Sequence, residues 1–168
     1  AFRPLAADDL PTVAAWLLEP HVSRWWGDPV RALDTIARHI GSPTVVPYVI
    51  VLDGTPVGYL QSYDIHGEAD HPYRDQPPGS VGIDQFIGEA ALIGRGYGPK
   101  AIRIFVERLF RDGVPRVVID PDPDNAAAIR AYEKAGFRVF DRRTSIYGPA
   151  ILMVRDRENR MGSSATDP

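Results

Sequence analysis

Asp84 is an acid inside the apolar run Val81 to Ile87, where a buried carboxylate is costly unless it is used. A few residues later the chain passes through Gly94-Arg95-Gly96-Tyr97-Gly98 and, from Lys100, enters an amphipathic helical pattern. Strand, glycine turn and helix together make an anion-binding layout. Glycines let the backbone approach a ligand closely, and the free N–H groups at a helix start, with its dipole, favour phosphate oxygens. The expectation is a phosphate-bearing ligand over Gly94 to Lys100, with a carboxylate on the strand before it. As a nucleotide motif the turn is incomplete, since it lacks a terminal Lys-Ser/Thr and does not match G-x-G-x-x-G.

Other residues have a plain reading beside a chemical one. Asp120 ends a short β-branched strand from Arg116, and Asp120-Pro121-Asp122-Pro123-Asp124-Asn125 breaks it before a new helix. Asp122 is expected to cap that helix, with Pro123 at its first position. Asn125 is a helix-start residue and Tyr132 an aromatic on an amphipathic helix that closes at Gly136. Trp25 and Trp26 cannot both sit deep on one helix face, so at least one lines a groove or packs under a loop. His21 and Arg24 read as structural or solvated. Asp64 to Ser80 reads as a long loop with Asp64, Glu68, Asp70 and Asp75, suited to a cationic substrate or to a solvated surface. His66 and His71 on the same loop have no H-E-x-x-H-type spacing, and no metal is assigned.

The totals narrow the class. A chain of 168 residues with 44% hydrophobic and 24% charged residues is expected to form one domain over 1–158, ending in a polar, disordered tail over 159–168. The net charge of −3 argues against a nucleic-acid partner and fits a cationic one better. There is no cysteine, which excludes disulfides, thiolate nucleophiles and cysteine-ligated metals. The longest apolar runs, such as Val45 to Leu52, are too short to span a bilayer, and the first residues do not read as a signal peptide, so no membrane partner and a cytoplasmic location are expected. Monomer and homodimer both remain open.

These residues need elements to position them. Asp53-Gly54 is a hairpin turn between Tyr48 to Leu52 and Pro56 to Tyr63. Helical spacing predicts a first helix up to Leu18 behind Asp8 or Asp9, with Leu10, Val13, Ala14 and Leu17 on its core face, and a second over Pro29 to Ile40. Ile102, Phe105, Val106 and Leu109 form a stripe on the helix after the glycine turn, where Glu107 and Arg111 can pair. Phe137 to Arg143 and Pro149 to Arg155 read as strands around a turn near Tyr147-Gly148. The expected fold is α/β (α+β): a mixed, mostly antiparallel sheet of six or seven strands flanked by about four helices.

The glycine turn resembles the R/Q-x-x-G-x-G/A acetyl-coenzyme A signature of the GNAT superfamily of N-acetyltransferases, with Ile93 departing from the pattern at the R/Q position. DPDPDNAAAIRAYEKAGF, Asp120 to Phe137, resembles the segment that follows it in that superfamily. The resemblance implies acetyl-coenzyme A as co-substrate, held by Gly94, Arg95, Gly96, Gly98, Lys100 and Asn125, with Tyr132 near its sulfur. It also implies that the strands before Gly94 and Pro121 splay apart, with a bulge on the first.

HVSRWWG, PYVIVLDGTPVGYLQSY, GIDQFIG and GPAILMV further resemble the aminoglycoside 6'-N-acetyltransferases. This implies Asp84 as general base, Tyr132 as the acid for the departing thiolate, and an acceptor site with Trp25, Asp70, Asp84 and Asp120, Glu68 and Asp75 being further candidates. An amine attacks a thioester only when neutral, so a carboxylate that binds the cation and accepts its proton suits the task. Without cysteine, direct transfer in a ternary complex is expected rather than an acyl-enzyme. The alternatives are a related acyltransferase acting on a siderophore hydroxylysine-type amine or a polyamine, and a non-catalytic coenzyme A-binding regulatory domain.

Overall fold

The computed structural model describes residues 1–145 and 148–158, and seven strands in it form one mixed sheet. The strands are β1 (Phe2–Pro4), β2 (Val45–Leu52), β3 (Thr55–Asp64), β4 (Val81–Ile87), β5 (Arg116–Ile119), β6 (Arg138–Ser145) and β7 (Gly148–Asp156). They lie in the order β1-β2-β3-β4-β5-β7-β6, antiparallel except for the central β4–β5 pair. The hairpin between β2 and β3 turns at Asp53-Gly54 with φ of 48° and 81°, the left-handed pair that a two-residue hairpin requires. Tyr147 and the tail from 159 lie outside the described residues.

Five α-helices flank the described sheet: α1 (Leu10–Leu18), α2 (Pro20–Trp26), α3 (Pro29–His39), α4 (Tyr97–Arg111) and α5 (Ala126–Lys134). The expected four become five because Pro20 ends α1 and restarts the chain as α2 over the tryptophan segment. Asp28 then caps α3, accepting a hydrogen bond from Arg31 N at 2.9 Å. Asp9 occupies the N-cap position of α1, but its carboxylate makes no cap hydrogen bond because it is held by Arg3 (2.6 and 2.7 Å) and by the Ala6 amide.

The pleat sends alternate residues of β4 to opposite faces. Ile83 and Ile87 pack with Ile102, Phe105 and Val106 of α4 and with Tyr132 of α5. Phe86 packs on the other face with Tyr59, Val13, Trp16, Leu17 and Ile36 under α1 and α3. Trp16, not predicted for the core, is buried there and donates to Glu89 at 2.9 Å. Glu107 of α4 pairs with Arg155 of β7 rather than with Arg111, since the sheet brings a cation closer than the next helical turn does.

The site depends on how briefly β4 and β5 pair. Only Val81–Val117 and Gly82–Val118 are partnered. Beyond them β5 ends at Ile119 and Pro121, which lacks an amide hydrogen, cannot continue the ladder. The splay follows without the expected bulge on β4, whose pairing with β3 is unbroken; the register shifts lie at Ile50/Val51 and Val139/Asp141.

Candidate active site

A cleft of about 1450 Å³ opens where β4 and β5 diverge, larger than the roughly 300–1,000 Å³ of a pocket for one drug-sized ligand. That volume suits two reactants together. One wall is the glycine turn: Gly94 and Gly96 have φ of 77° and 81°, and Gly96 is the left-handed N-cap of α4 with no side-chain cap. A Cβ at either would meet nothing within 4 Å, so these glycines serve backbone conformation rather than space. Tyr97 and Gly98, at the start of α4, have no helical partner for their N–H groups. With Arg95 beside them, these free N–H groups are chemically suited to an anion.

The acids stand at the bottom of the splay. Asp84 on β4 and Asp120 just after β5 both line the cleft, and Tyr132 of α5 lines it with them. Burial first, and then the nearby Asp120, push the Asp84 carboxyl up to about 7, although a hydrogen bond from Gln61 Nε2 to its Oδ2 at 2.8 Å works the other way. Burial also raises Asp120, opposed by the Tyr73 hydroxyl that donates to its Oδ2 at 2.5 Å. Two carboxyls in one poorly solvated site resist carrying two charges. Burial and the same acids hold the Tyr132 phenol well above its ordinary value, so it stays a proton donor.

The remaining predicted residues divide. Trp25 lines the cleft under the Arg24 guanidinium, 4.9 Å above its ring, while Trp26 both lines it and packs edge-on against Tyr59 and Phe86. His21 also lines it and is held to the Ile87 carbonyl at 2.9 Å. Asn125 lines the cleft and caps α5, its Oδ1 accepting from Ala128 N at 3.1 Å, which corrects the expectation that Asp122 is the cap. Asp122 instead forms a turn, accepting from Asp124 N at 2.8 Å. Gly98 belongs to the cleft, whereas Lys100, one turn into α4, is exposed and does not line it.

None of the acids of the 64–80 loop lines the cleft. Asp70 and Glu68 are exposed and outside the cleft. Asp75 is committed to Arg143 at 2.6 and 2.8 Å, which holds its carboxyl at about 2. The loop reaches the site through Tyr73 instead, packed with Ile65 on Val118, Leu152 and Val154. Gln61, Tyr73 and the cleft-lining cations Arg130 and Lys134 are the site residues that the sequence did not single out. Only the alternation of β3 could have marked Gln61, as a polar residue between buried Leu60 and Ser62.

Among the described residues, no group of three or more His, Cys, Asp and Glu side chains could hold a metal, and no helix is long and apolar enough to cross a membrane.

The Acetyltransferase (GNAT) domain family matches residues 6–144. The chain belongs to this family. It is 38% identical over 166 residues to an aminoglycoside N(6')-acetyltransferase type 1 of Klebsiella pneumoniae, covering 93% of this chain and 82% of that one. A lysine N-acyltransferase of Mycolicibacterium paratuberculosis is 29% identical over 159 residues, covering 88% and 72%. Among solved structures, an aminoglycoside acetyltransferase in complex with coenzyme A and kanamycin superposes with a TM-score of 0.85 at 36% identity over 94% of each chain.

Proposed function

We propose that this acetyltransferase transfers the acetyl group of acetyl-coenzyme A to the 6'-amine of aminoglycosides, by direct attack in a ternary complex, and thereby confers resistance to them. The observation that carries the reading is the pairing, in one cleft, of an uncapped glycine cradle with two half-buried, poorly solvated carboxyls. The relatives support the acceptor, one named for the 6'-position and one solved with coenzyme A and kanamycin.

The residues fit the donor. The amides of Tyr97 and Gly98 and the side chain of Arg95 would hold pyrophosphate oxygens, with Arg130 and Lys134 on the α5 wall available to further phosphate. Asn125 keeps its amide NH₂ for the donor while its oxygen caps α5. When bound, acetyl-coenzyme A supplies an acyl group activated as a thioester.

Asp84 and Asp120 draw the ammonium of the acceptor into the splay. With its carboxyl near 7, Asp84 is poised to take one proton at neutral pH and release the amine as a nucleophile. Tyr132, held neutral, donates its phenolic proton to the departing thiolate. Trp25 and Trp26 offer flat apolar faces to sugar rings.

Release of free thiol, measured across an aminoglycoside panel, tests the proposal. Compounds with a 6'-amine should react and their 6'-hydroxy analogues should not. Reaction with lysine-type amines or polyamines but with no aminoglycoside would replace it by the second reading, which the lysine N-acyltransferase relative favours.

A further inference from the structure

The base is held by a side chain that is itself held. Gln61 and Asp84 are direct partners in the β3–β4 ladder and project to the same face. Gln61 Nε2 donates to Asp84 Oδ2 at 2.8 Å. On the other side of the amide, Gln61 Oε1 takes the Tyr59 hydroxyl at 2.8 Å and meets His39 Nδ1, on the last residue of α3, at 3.1 Å. We propose that His39 and Tyr59 are positioning residues that clamp the Gln61 amide in one orientation, so that it always presents its NH₂ to Asp84 and leaves Asp84 Oδ1 as the atom that receives the proton of the amine.

The chemistry of the partners dictates the direction. A carboxylate can only accept, so the amide must turn its nitrogen to Asp84 and its oxygen away. Without donors behind it, the amide could rotate and set carbonyl oxygen against carboxylate oxygen. Tyr59 is fully buried, with its phenol raised far from ionisation by that burial, so its hydroxyl remains a donor. His39 fills the same role as the Nδ1–H tautomer, and as imidazolium it donates from the same atom. Gln61 Oε1 therefore has two donors and Asp84 Oδ2 has one. Asp84 Oδ1 has no hydrogen-bond partner among the described residues.

The inference rests on the reading of Asp84 as the base, and its test does not need turnover. Protein labelled with ¹³C at aspartate carboxyls would be titrated by NMR, with the Asp84 signal assigned by its loss in Asp84→Asn. Facing that carboxyl are Asp120 after β5, Tyr132 of α5, Tyr59 and Tyr63 of β3 and Tyr73 of the loop, and all remain in the comparison except where substituted. Gln61→Leu removes the donor and should raise the midpoint of Asp84 by about half a pH unit or more, as expected for loss of a hydrogen bond to the charged form. His39→Ala with Tyr59→Phe should raise it similarly, and should add nothing when built into Gln61→Leu. His39→Gln in the Tyr59→Phe background restores one donor and should bring the midpoint back down to that of Tyr59→Phe alone.

A wild-type midpoint in the His39→Ala/Tyr59→Phe protein overturns the proposal, as does an equal shift in the presence and absence of Gln61. If that pair does not fold, the single variants give the reading: each should move the midpoint up by a smaller amount, and movement in neither overturns it. Absence of aminoglycoside turnover with the titration behaving as described would count against the acetyl-transfer reading alone.

Discussion

Asp84 should dominate the kinetics. Asp84→Asn keeps the shape of the site and removes the proposed base, so kcat should fall by about 10²-fold or more while the dissociation constant for acetyl-coenzyme A changes little; wild-type turnover would exclude it as the base. The acid limb of kcat/KM should have its midpoint near pH 7. Asp120 is among the causes that raise Asp84, so Asp120→Asn should shift this limb to lower pH even as acceptor binding weakens. A limb that stays in place would show that the two carboxyls do not communicate. Asp84 was legible in the sequence because an acid in an apolar run announces itself. Gln61 and Tyr73 were not, since a polar residue on a strand and an aromatic in a loop acquire meaning only when strand register and loop packing set them against a carboxylate. Asp70 shows the complementary limit: charge marks a residue as polar, not where its loop carries it, and its side chain is exposed outside the cleft.

At the level of elements, the glycine turn and the loop make separate predictions. Gly96 sits at a φ of 81°, which a β-branched side chain resists. Gly96→Val should therefore raise KM for acetyl-coenzyme A about tenfold or more before it affects the chemical step; unchanged KM would mean that the turn does not hold the donor. Arg143 ties Asp75 and the Pro72 carbonyl to β6. Arg143→Ala should loosen the loop, seen as faster proteolysis between 65 and 80, and should raise KM for the acceptor through the Tyr73–Asp120 contact. The strands, the hairpin turn and the apolar face of α4 could be read from periodicity, because each records a local rule. The extra helix α2, the choice of Asn125 over Asp122 as cap and the Glu107–Arg155 pair could not, since each was decided by competition between neighbouring alternatives.

For the whole molecule, the site costs stability. A carboxyl raised on folding contributes stability that is present in full below its unfolded value and is lost as pH rises through its folded value. For Asp84 that window runs from about 4 to about 7, and Asp120 acts in the same direction. Asp84→Asn and Asp120→Asn should thus melt above wild type by a few degrees near pH 8, with the gain shrinking toward about pH 4. Equal melting temperatures at both ends of that range would mean that the acids are not strained by burial. The sheet itself adds a further consequence. Two residue pairs are all that joins β4 to β5, so the backbone hydrogen-bond lattice consists of two blocks, β1–β4 and β5–β7, stitched at one end. A ligand lying between them is a crosslink in that lattice. Amide hydrogen exchange in Ile83–Ile87 and in β5 should slow in concert on donor binding, making rigidity across the molecule a property that the substrate brings with it.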